Sequence, residues 1–353
     1  MAKVIVGMSG GVDSAVAAFL LKKQGYDVIG VTLRTWLSDS GEEGRCCELD
    51  DARIICNKIG IPYYPLNCAD VFKERVIDPF VNAYLNGKTP NPCIECNRYV
   101  KWDRMLYYGQ VFHADFVATG HYAYVVRKPN GRFTVKTALH AEKDQTYMLY
   151  KLSQEQLSRT LMPLGDMSKE EVRKIAADAG LVVANKPDSQ EICFVPEGSY
   201  VDYIKEHAES NIPGEGNFVD ENGNILGRHK GIINYTVGQR KGLGIALGYP
   251  AFVKSINPET NEVVLVPEEG ILLEKISCTN LNFLSIEPPK EGDNFPCFVK
   301  VRYHHKPAKA VINITKDDTA EVSFTEPVKL AAPGQSAVFY DDEGCIIGGG
   351  IIK

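Results

Sequence analysis

VIVGMSGGVDSAVAAFLL, residues 4–21, decides the fold. Val4 to Val6 has the β-branched, all-apolar look of a strand buried on both faces. It runs directly into Gly7, Met8, Ser9, Gly10, Gly11, Val12, Asp13 and Ser14. Asp13 and Ser14 suit a helix start, and Val12, Val16, Phe19 and Leu20 then recur at helical spacing. Glycines let a backbone turn sharply and come close to a ligand. The free N–H groups of a helix start favour an anion. The stretch therefore predicts a strand, loop and helix that cradle phosphate. It is not the standard P-loop, which needs Lys and then Ser or Thr after its last glycine.

Outward from this loop the first half of the chain alternates. VIGVTLR (28–34), YYPLN (63–67) and DFVATGHY (115–122) read as strands. Helices are expected through ELDDARIICNKIG (48–60), ended by Gly60, and from about Asp70 to Leu85. Such alternation implies a parallel sheet covered on both faces, with ligands beyond the carboxyl ends of its strands. The loops after Val6, Arg34 and Thr119 should meet at one crevice. YVVRKPNGRFTVKTA (124–138) predicts a hairpin around Asn130-Gly131. Ser168 and Glu171 stand at capping-box spacing, with Gly180 as the stop. From about Gly214 helical periodicity fades, and YPAFVKSI, NEVVLV, FPCFVKVRY, KAVINIT, AEVSFT and QSAVFY follow as short strands. The expected domains are residues 1–205, a small central β-containing domain over 206–273, and a C-terminal β-barrel or sandwich over 274–353.

The composition is that of a globular chain. Its 353 residues are enough for two or three domains. No apolar run approaches the ~18 residues of a transmembrane helix. The first strand begins beside Met1, which leaves no room for a signal peptide, so a cytoplasmic location is expected. In a reducing cytoplasm the ten cysteines are not a disulfide framework. The net charge of −6 argues weakly against non-specific nucleic-acid binding. Two stretches are nevertheless locally basic, RHKGIINYTVGQRK (228–241) and CFVKVRYHHKPAKAVINIT (297–315).

Three cysteines stand out. TPNPCIECNRYVKW (89–102) carries Cys93 and Cys96 after a rigid turn, and KPDSQEICFVP (186–196) carries Cys193. Cys-x-x-Cys alone is compatible with zinc, redox or iron–sulfur chemistry. A structural zinc site usually has four ligands, and no second Cys-x-x-Cys or paired His motif is present. A phosphate loop together with these cysteines points to activation followed by sulfur transfer. Adenylation turns a carbonyl oxygen into a leaving group. Sulfur carried as a cysteine persulfide attacks the same carbon, and a second cysteine resolves the product.

GMSGGVDS (7–14), PNPCIECNRYVKW, ATGHYA (118–123), KDQTYML (143–149), DSQEICF (188–194), YTVGQRKGLG (235–244), VRY (301–303) and PGQSAVFY (333–340) occur in that order. Together they resemble the bacterial tRNA-specific 2-thiouridylase family over essentially the whole chain. The resemblance implies an α/β ATP-pyrophosphatase domain of the adenine nucleotide α-hydrolase-like kind, followed by β-rich domains. It implies ATP and Mg²⁺ at Gly7 to Ser14, with Leu33 and Gly120 near the adenine. Asn91, Pro92 and Cys93 would lie by the target base. His121, Lys143, Asp144, Gln145, Arg302, Tyr303 and Gln335 would contact the tRNA anticodon arm. Cys96 matches the nucleophile and Cys193 the persulfide carrier, and a sulfur-donor protein or a sulfide source would be a partner. The product would be 2-thiouridine at the wobble position.

One departure stands out. In the best-known branch of the family Asp holds the place of Cys93. Three thiolates at 93, 96 and 193 would suit a [4Fe–4S] cluster with one open iron, which would replace the persulfide. Without a cluster, a Cys96–Cys193 disulfide is expected in oxidised material. The alternative activity is that of another adenylating ligase on the same loop, which has no use for Cys96 and Cys193.

Overall fold

The computed structural model describes residues 1–35, 49–184, 186, 192–195, 199–209, 211–316 and 318–353. Strand β1 (Lys3–Gly7) leads through the glycine loop into helix α1 (Val12–Lys23). Strand β2 (Asp27–Arg34), helix α2 (Leu49–Ile59) and strand β3 (Tyr63–Asn67) follow. Next come α3 (Ala69–Phe72), a π-helical turn and α4 (Asp78–Leu85). The cysteine pair opens a second composite helix, α5 (Pro92–Glu95), a π-helical stretch and α6 (Asp103–Val111). Strand β4 (Phe116–Ala118) is shorter than the eight-residue run that the sequence suggested, because the chain leaves the sheet at Thr119. The hairpin β5 (Ala123–Arg127) and β6 (Phe133–Thr137) turns at Asn130-Gly131, as expected. Helix α7 (Gln154–Ser158), strand β7 (Thr160–Leu161), α8 (Lys169–Asp178) and α9 (Tyr200–His207) complete this half. Helix α8 begins with the predicted Ser168–Glu171 capping box.

The five strands form a parallel sheet in the order β3-β2-β1-β4-β7. Val4, Ile5 and Val6 are fully buried, as a central strand covered on both faces requires. One expectation needs correcting. Helix α1 starts at Val12 with Gly11 as its N-cap, so Asp13 and Ser14 lie in its first turn and do not cap it.

A second sheet, of order β10-β11-β8-β9, contains β8 (Gly216–Val219), β9 (Ile225–His229), β10 (Phe252–Asn257) and β11 (Glu262–Val266). The remaining strands close a six-stranded barrel in the order β12-β15-β14-β13-β16-β17. They are β12 (Leu272–Phe283), β13 (Asn294–Lys300), β14 (Ala308–Lys316), β15 (Thr319–Lys329), β16 (Ser336–Tyr340) and β17 (Ile346–Ile352). Closure removes exposed sheet edges.

Packing unites these parts. Trp102, Met105 and Tyr147 from the first half share one buried cluster with Val338, Tyr340 and Ile346 of the barrel. Phe72, Phe80 and Tyr84 share another with Phe218, Val253 and Leu265 of the second sheet. Among the described residues, no helix is long and apolar enough to cross a membrane.

Candidate nucleotide and thiol site

The glycine loop leaves β1 at the carboxyl edge of the sheet, and its neighbours hold it there. Met8 N–H donates to Val31 O at 2.7 Å, and Thr32 Oγ1 donates to Met8 O at 2.7 Å. Ser14 Oγ receives the Ser9 amide at 3.2 Å and donates to Gly11 O at 3.1 Å. A helix start has no intrahelical acceptors for its first amides, and α1 directs them at this loop.

Gly120 comes to the loop from the other side. A Cβ at this position would sit 2.7 Å from both Asp13 C and Ser14 N. Only a glycine permits that approach. The loops after β1 and β4 therefore meet, as the sheet topology requires. Leu33 lies at the end of the adjacent strand β2, and of the loop after Arg34 only Thr35 lies within the described residues.

The Asp13 carboxylate has partners that the sequence did not reveal. Tyr122 Oη donates to Asp13 Oδ1 at 2.7 Å. Lys169 Nζ lies 2.7 Å from Oδ1 and 2.9 Å from Oδ2. Lys169 is buried at the start of α8, where the sequence signalled only a capping box. Tyr122 directly follows the Ala-Thr-Gly-His run at 118–121.

His121 bonds Thr119 Oγ1 through Nδ1 at 2.8 Å and stacks obliquely on Trp102, ring centroids 5.5 Å apart. Burial, and then the Lys101 ammonium, hold its pKa well below the usual imidazole value. It is neutral at physiological pH.

Asn91 caps α5 by accepting the Cys93 amide at 3.1 Å, which fixes the Thr-Pro-Asn-Pro turn. The barrel clamps this turn from outside. Gln335 Nε2 donates to Thr89 O at 2.8 Å, and Thr89 N–H donates to Pro333 O at 2.8 Å. Pro92 is buried and Cys93 is half-buried. Burial raises the Cys93 thiol, opposed by the charge of Lys101. The thiol also acts electrostatically on Tyr303, whose ring sits 6.2 Å from Tyr147 and 5.8 Å from Lys300 Nζ. Arg302 beside it is exposed.

Within the Lys143-Asp144-Gln145 set, two side chains are engaged inside the chain. Asp144 is buried and accepts from Thr146 Oγ1 at 2.9 Å, with Lys300 Nζ at 3.7 Å. Gln145 Oε1 accepts the Tyr122 amide at 3.0 Å. Lys143 is half-buried. Asp144 and Gln145 are therefore tied to neighbouring backbone and side chains within the chain.

Cys96 and Cys193 come from distant parts of the sequence and pack on the same apolar cluster, with Phe72, Phe80 and Phe194. The Phe194 ring lies 5.5 Å from Phe72 and 5.3 Å from Phe80. The eight described cysteines are all unbridged, so Cys96 and Cys193 are not disulfide-bonded here. Cys46, Cys47 and Asp188 to Glu191 lie outside the described residues. Among the described residues, Cys93, Cys96 and Cys193 do not gather within 4.8 Å of one another, as ligands of a single metal ion would. The persulfide route needs only Cys96 and Cys193. A [4Fe–4S] cluster also needs Cys93.

Comparison with known proteins covers all three parts of the chain. Residues 2–197 match a family profile described as "tRNA methyl transferase HUP domain". Residues 201–267 match a "tRNA methyl transferase PRC-barrel domain" and residues 273–352 an "Aminomethyltransferase beta-barrel domain". A curated relative from Lachnoclostridium phytofermentans, a tRNA-specific 2-thiouridylase MnmA, is 53% identical over 100% of both chains. One of the same name from Clostridium perfringens is 51% identical over 99% of this chain and 98% of its own. Among solved structures, the U34-tRNA thiolase NcsA of Methanococcus maripaludis with its [4Fe-4S] cluster matches at TM-score 0.36 and 21% identity. That match covers 54% of this chain and 60% of the other.

Proposed function

We infer the reaction from one premise: the chain belongs to the tRNA-specific 2-thiouridylase (MnmA) family. It is an ATP-dependent tRNA-uridine sulfurtransferase, as its full-length relatives are named for thiolation. The profile descriptions speak of methyl transfer, but a phosphate loop and two thiols on one cluster are what thiolation uses. The packing of Cys96 and Cys193 on that cluster is the observation that carries this reading.

ATP lies with its phosphates over Gly7 to Ser14 and its adenine by Leu33 and Gly120. Loop and first-turn amides stabilise negative charge on the phosphates. Asp13 would hold a magnesium ion, which would neutralise phosphate charge. The uracil O2 attacks the α-phosphorus and pyrophosphate leaves, so C2 carries AMP as its leaving group.

The terminal sulfur of a Cys193 persulfide then adds to C2, and AMP departs with the C–O electron pair. The Cys96 thiolate attacks the Cys193 sulfur. The S–S bond breaks, its electrons pass to the sulfur on C2, and 2-thiouridine is released. Cys96 and Cys193 are left as a disulfide, which an external thiol reduces in a two-electron step. Neutral His121 and Asn91 offer hydrogen bonds to the base without adding charge. Lys143, Arg302, Tyr303 and the Gln335 loop face the anticodon arm, with the barrel over 274–353 as its platform and 1–205 and 206–273 as the other domains. Asp144 and Gln145 hold that surface from within.

The test is mass spectrometry of tRNA incubated with the protein, ATP, Mg²⁺ and a donor of persulfide-level sulfur. Wobble 2-thiouridine is expected. Pyrophosphate release with an amide product, unaffected by Cys96→Ser and Cys193→Ser, would establish the ligase reading instead.

A further inference from the structure

The site above leaves one basic motif unused. Arg228, Lys230 and Lys241 converge on a cavity of about 630 Å³ between the second sheet and the start of α9. No Asp or Glu lines this cavity. Among the described residues, neither Lys230 nor Lys241 has an acidic partner. Arg228 reaches Glu215 only at 3.8 Å, across two exposed side chains, and donates to Asn217 Oδ1 at 2.9 Å. The whole chain has 45 acids against 39 Lys and Arg, so cations left unmatched around one concavity call for an external anion.

The cavity adjoins the thiol segment. Its wall residue Tyr200 stacks at 4.9 Å on Tyr84, and Tyr84 and Tyr235 pack in the cluster that holds Phe194, next to Cys193.

We propose that the cavity binds backbone phosphates of the substrate RNA, at a point separate from the C-terminal barrel. The proposal rests on the tRNA reading above. Three cations with amide and hydroxyl neighbours (Gln239, Thr236) suit phosphodiester oxygens, which need charge and donors but carry no base identity.

The experiment measures equilibrium binding of full-length tRNA from 50 to 300 mM KCl for wild type, Arg228→Gln, Lys230→Gln, Lys241→Gln and the triple variant. Each single change should weaken binding about fivefold at the lowest salt and reduce the salt slope by about one. Lys241→Arg should restore both. The KM for tRNA should rise, with the KM for ATP and kcat at saturating tRNA unchanged. Wild-type affinity and slope in the triple variant would overturn the proposal. Unchanged tRNA binding with slower persulfide loading from a donor protein would overturn it too and reassign the cavity to that protein. If wild type itself neither binds nor thiolates tRNA, the functional reading fails, a result distinct from either.

Discussion

Lys169 Nζ lies 2.7 and 2.9 Å from the two carboxylate oxygens of Asp13, across 156 residues of sequence. Tyr122 Oη completes the set at 2.7 Å. A buried ammonium therefore stands within reach of the phosphate loop. In the proposed reaction Asp13 would turn to a magnesium ion, which would free that ammonium to pair with a phosphate oxygen. Lys169→Met should lower the rate of pyrophosphate release by about 10²–10³-fold, as loss of one preorganised charge does. Affinity for tRNA should stay at the wild-type value. Activity within twofold of wild type would leave Lys169 a purely structural partner.

In the proposed reaction Cys96 and Cys193 act after adenylation, so the two half-reactions should separate. Cys96→Ser and Cys193→Ser should each abolish thiolation while tRNA-dependent pyrophosphate release continues. Cys93→Ser should keep at least a tenth of the wild-type thiolation rate if sulfur travels as a persulfide. Iron and sulfide analysis of anaerobically purified protein supplies the contrast. Stoichiometric iron that is lost with Cys93→Ser, together with activity, would move the sulfur onto a cluster.

Gly120→Ala tests the meeting of the two loops. The new methyl would stand 2.7 Å from backbone atoms of Asp13 and Ser14, where no flexible side chain can yield. The expected cost is about 1–3 kcal/mol, measured by urea denaturation, with a raised KM for ATP. An unchanged KM for ATP would mean that the loop can move without consequence.

Acid should destabilise the chain before its carboxylates titrate. Burial lowers the imidazole pKa of His121, His229 and His305. His229 shows why. Its Nδ1 accepts the Gly231 amide at 3.0 Å, and Nε2 lies 3.1 Å from Asn261 O, an arrangement that needs the neutral ring. Below about pH 6.5 the unfolded chain takes up protons that the folded chain refuses. Stability is therefore complete above that pH and falls as pH drops toward the folded values. The slope is at most about 1.4 kcal/mol per pH unit for each of His121 and His229. Urea midpoints from pH 7.5 to 5.5 should decline, and less steeply in His229→Gln. A flat or rising profile would contradict this.

The sequence alone determined the local features. An all-apolar strand before Gly-Met-Ser-Gly-Gly, a capping box at Ser168 and Asn-Gly in a hairpin each rest on a few neighbouring residues, so their signals are complete in the chain. The sequence was less informative about strand β17, IIGGGII, where three glycines argue against a strand. Only the folded barrel explains them. A Cβ on Gly348 would lie 2.4 Å from Asn282 O, and one on Gly349 2.6 Å from the Tyr150 ring.

Partner choice was likewise a tertiary decision. Asp13 was legible as a loop carboxylate, but nothing near Lys169 or Tyr122 in sequence marks them as its partners. Nothing near Gln145 in sequence marks the Tyr122 amide that its Oε1 accepts. The clamp of Gln335 on Thr89 and the common cluster of Cys96 and Cys193 arise only when distant segments pack. Periodicity and turn chemistry act over one or two turns of chain. Charge pairing and thiol placement act through space, and only the closed fold sets those distances.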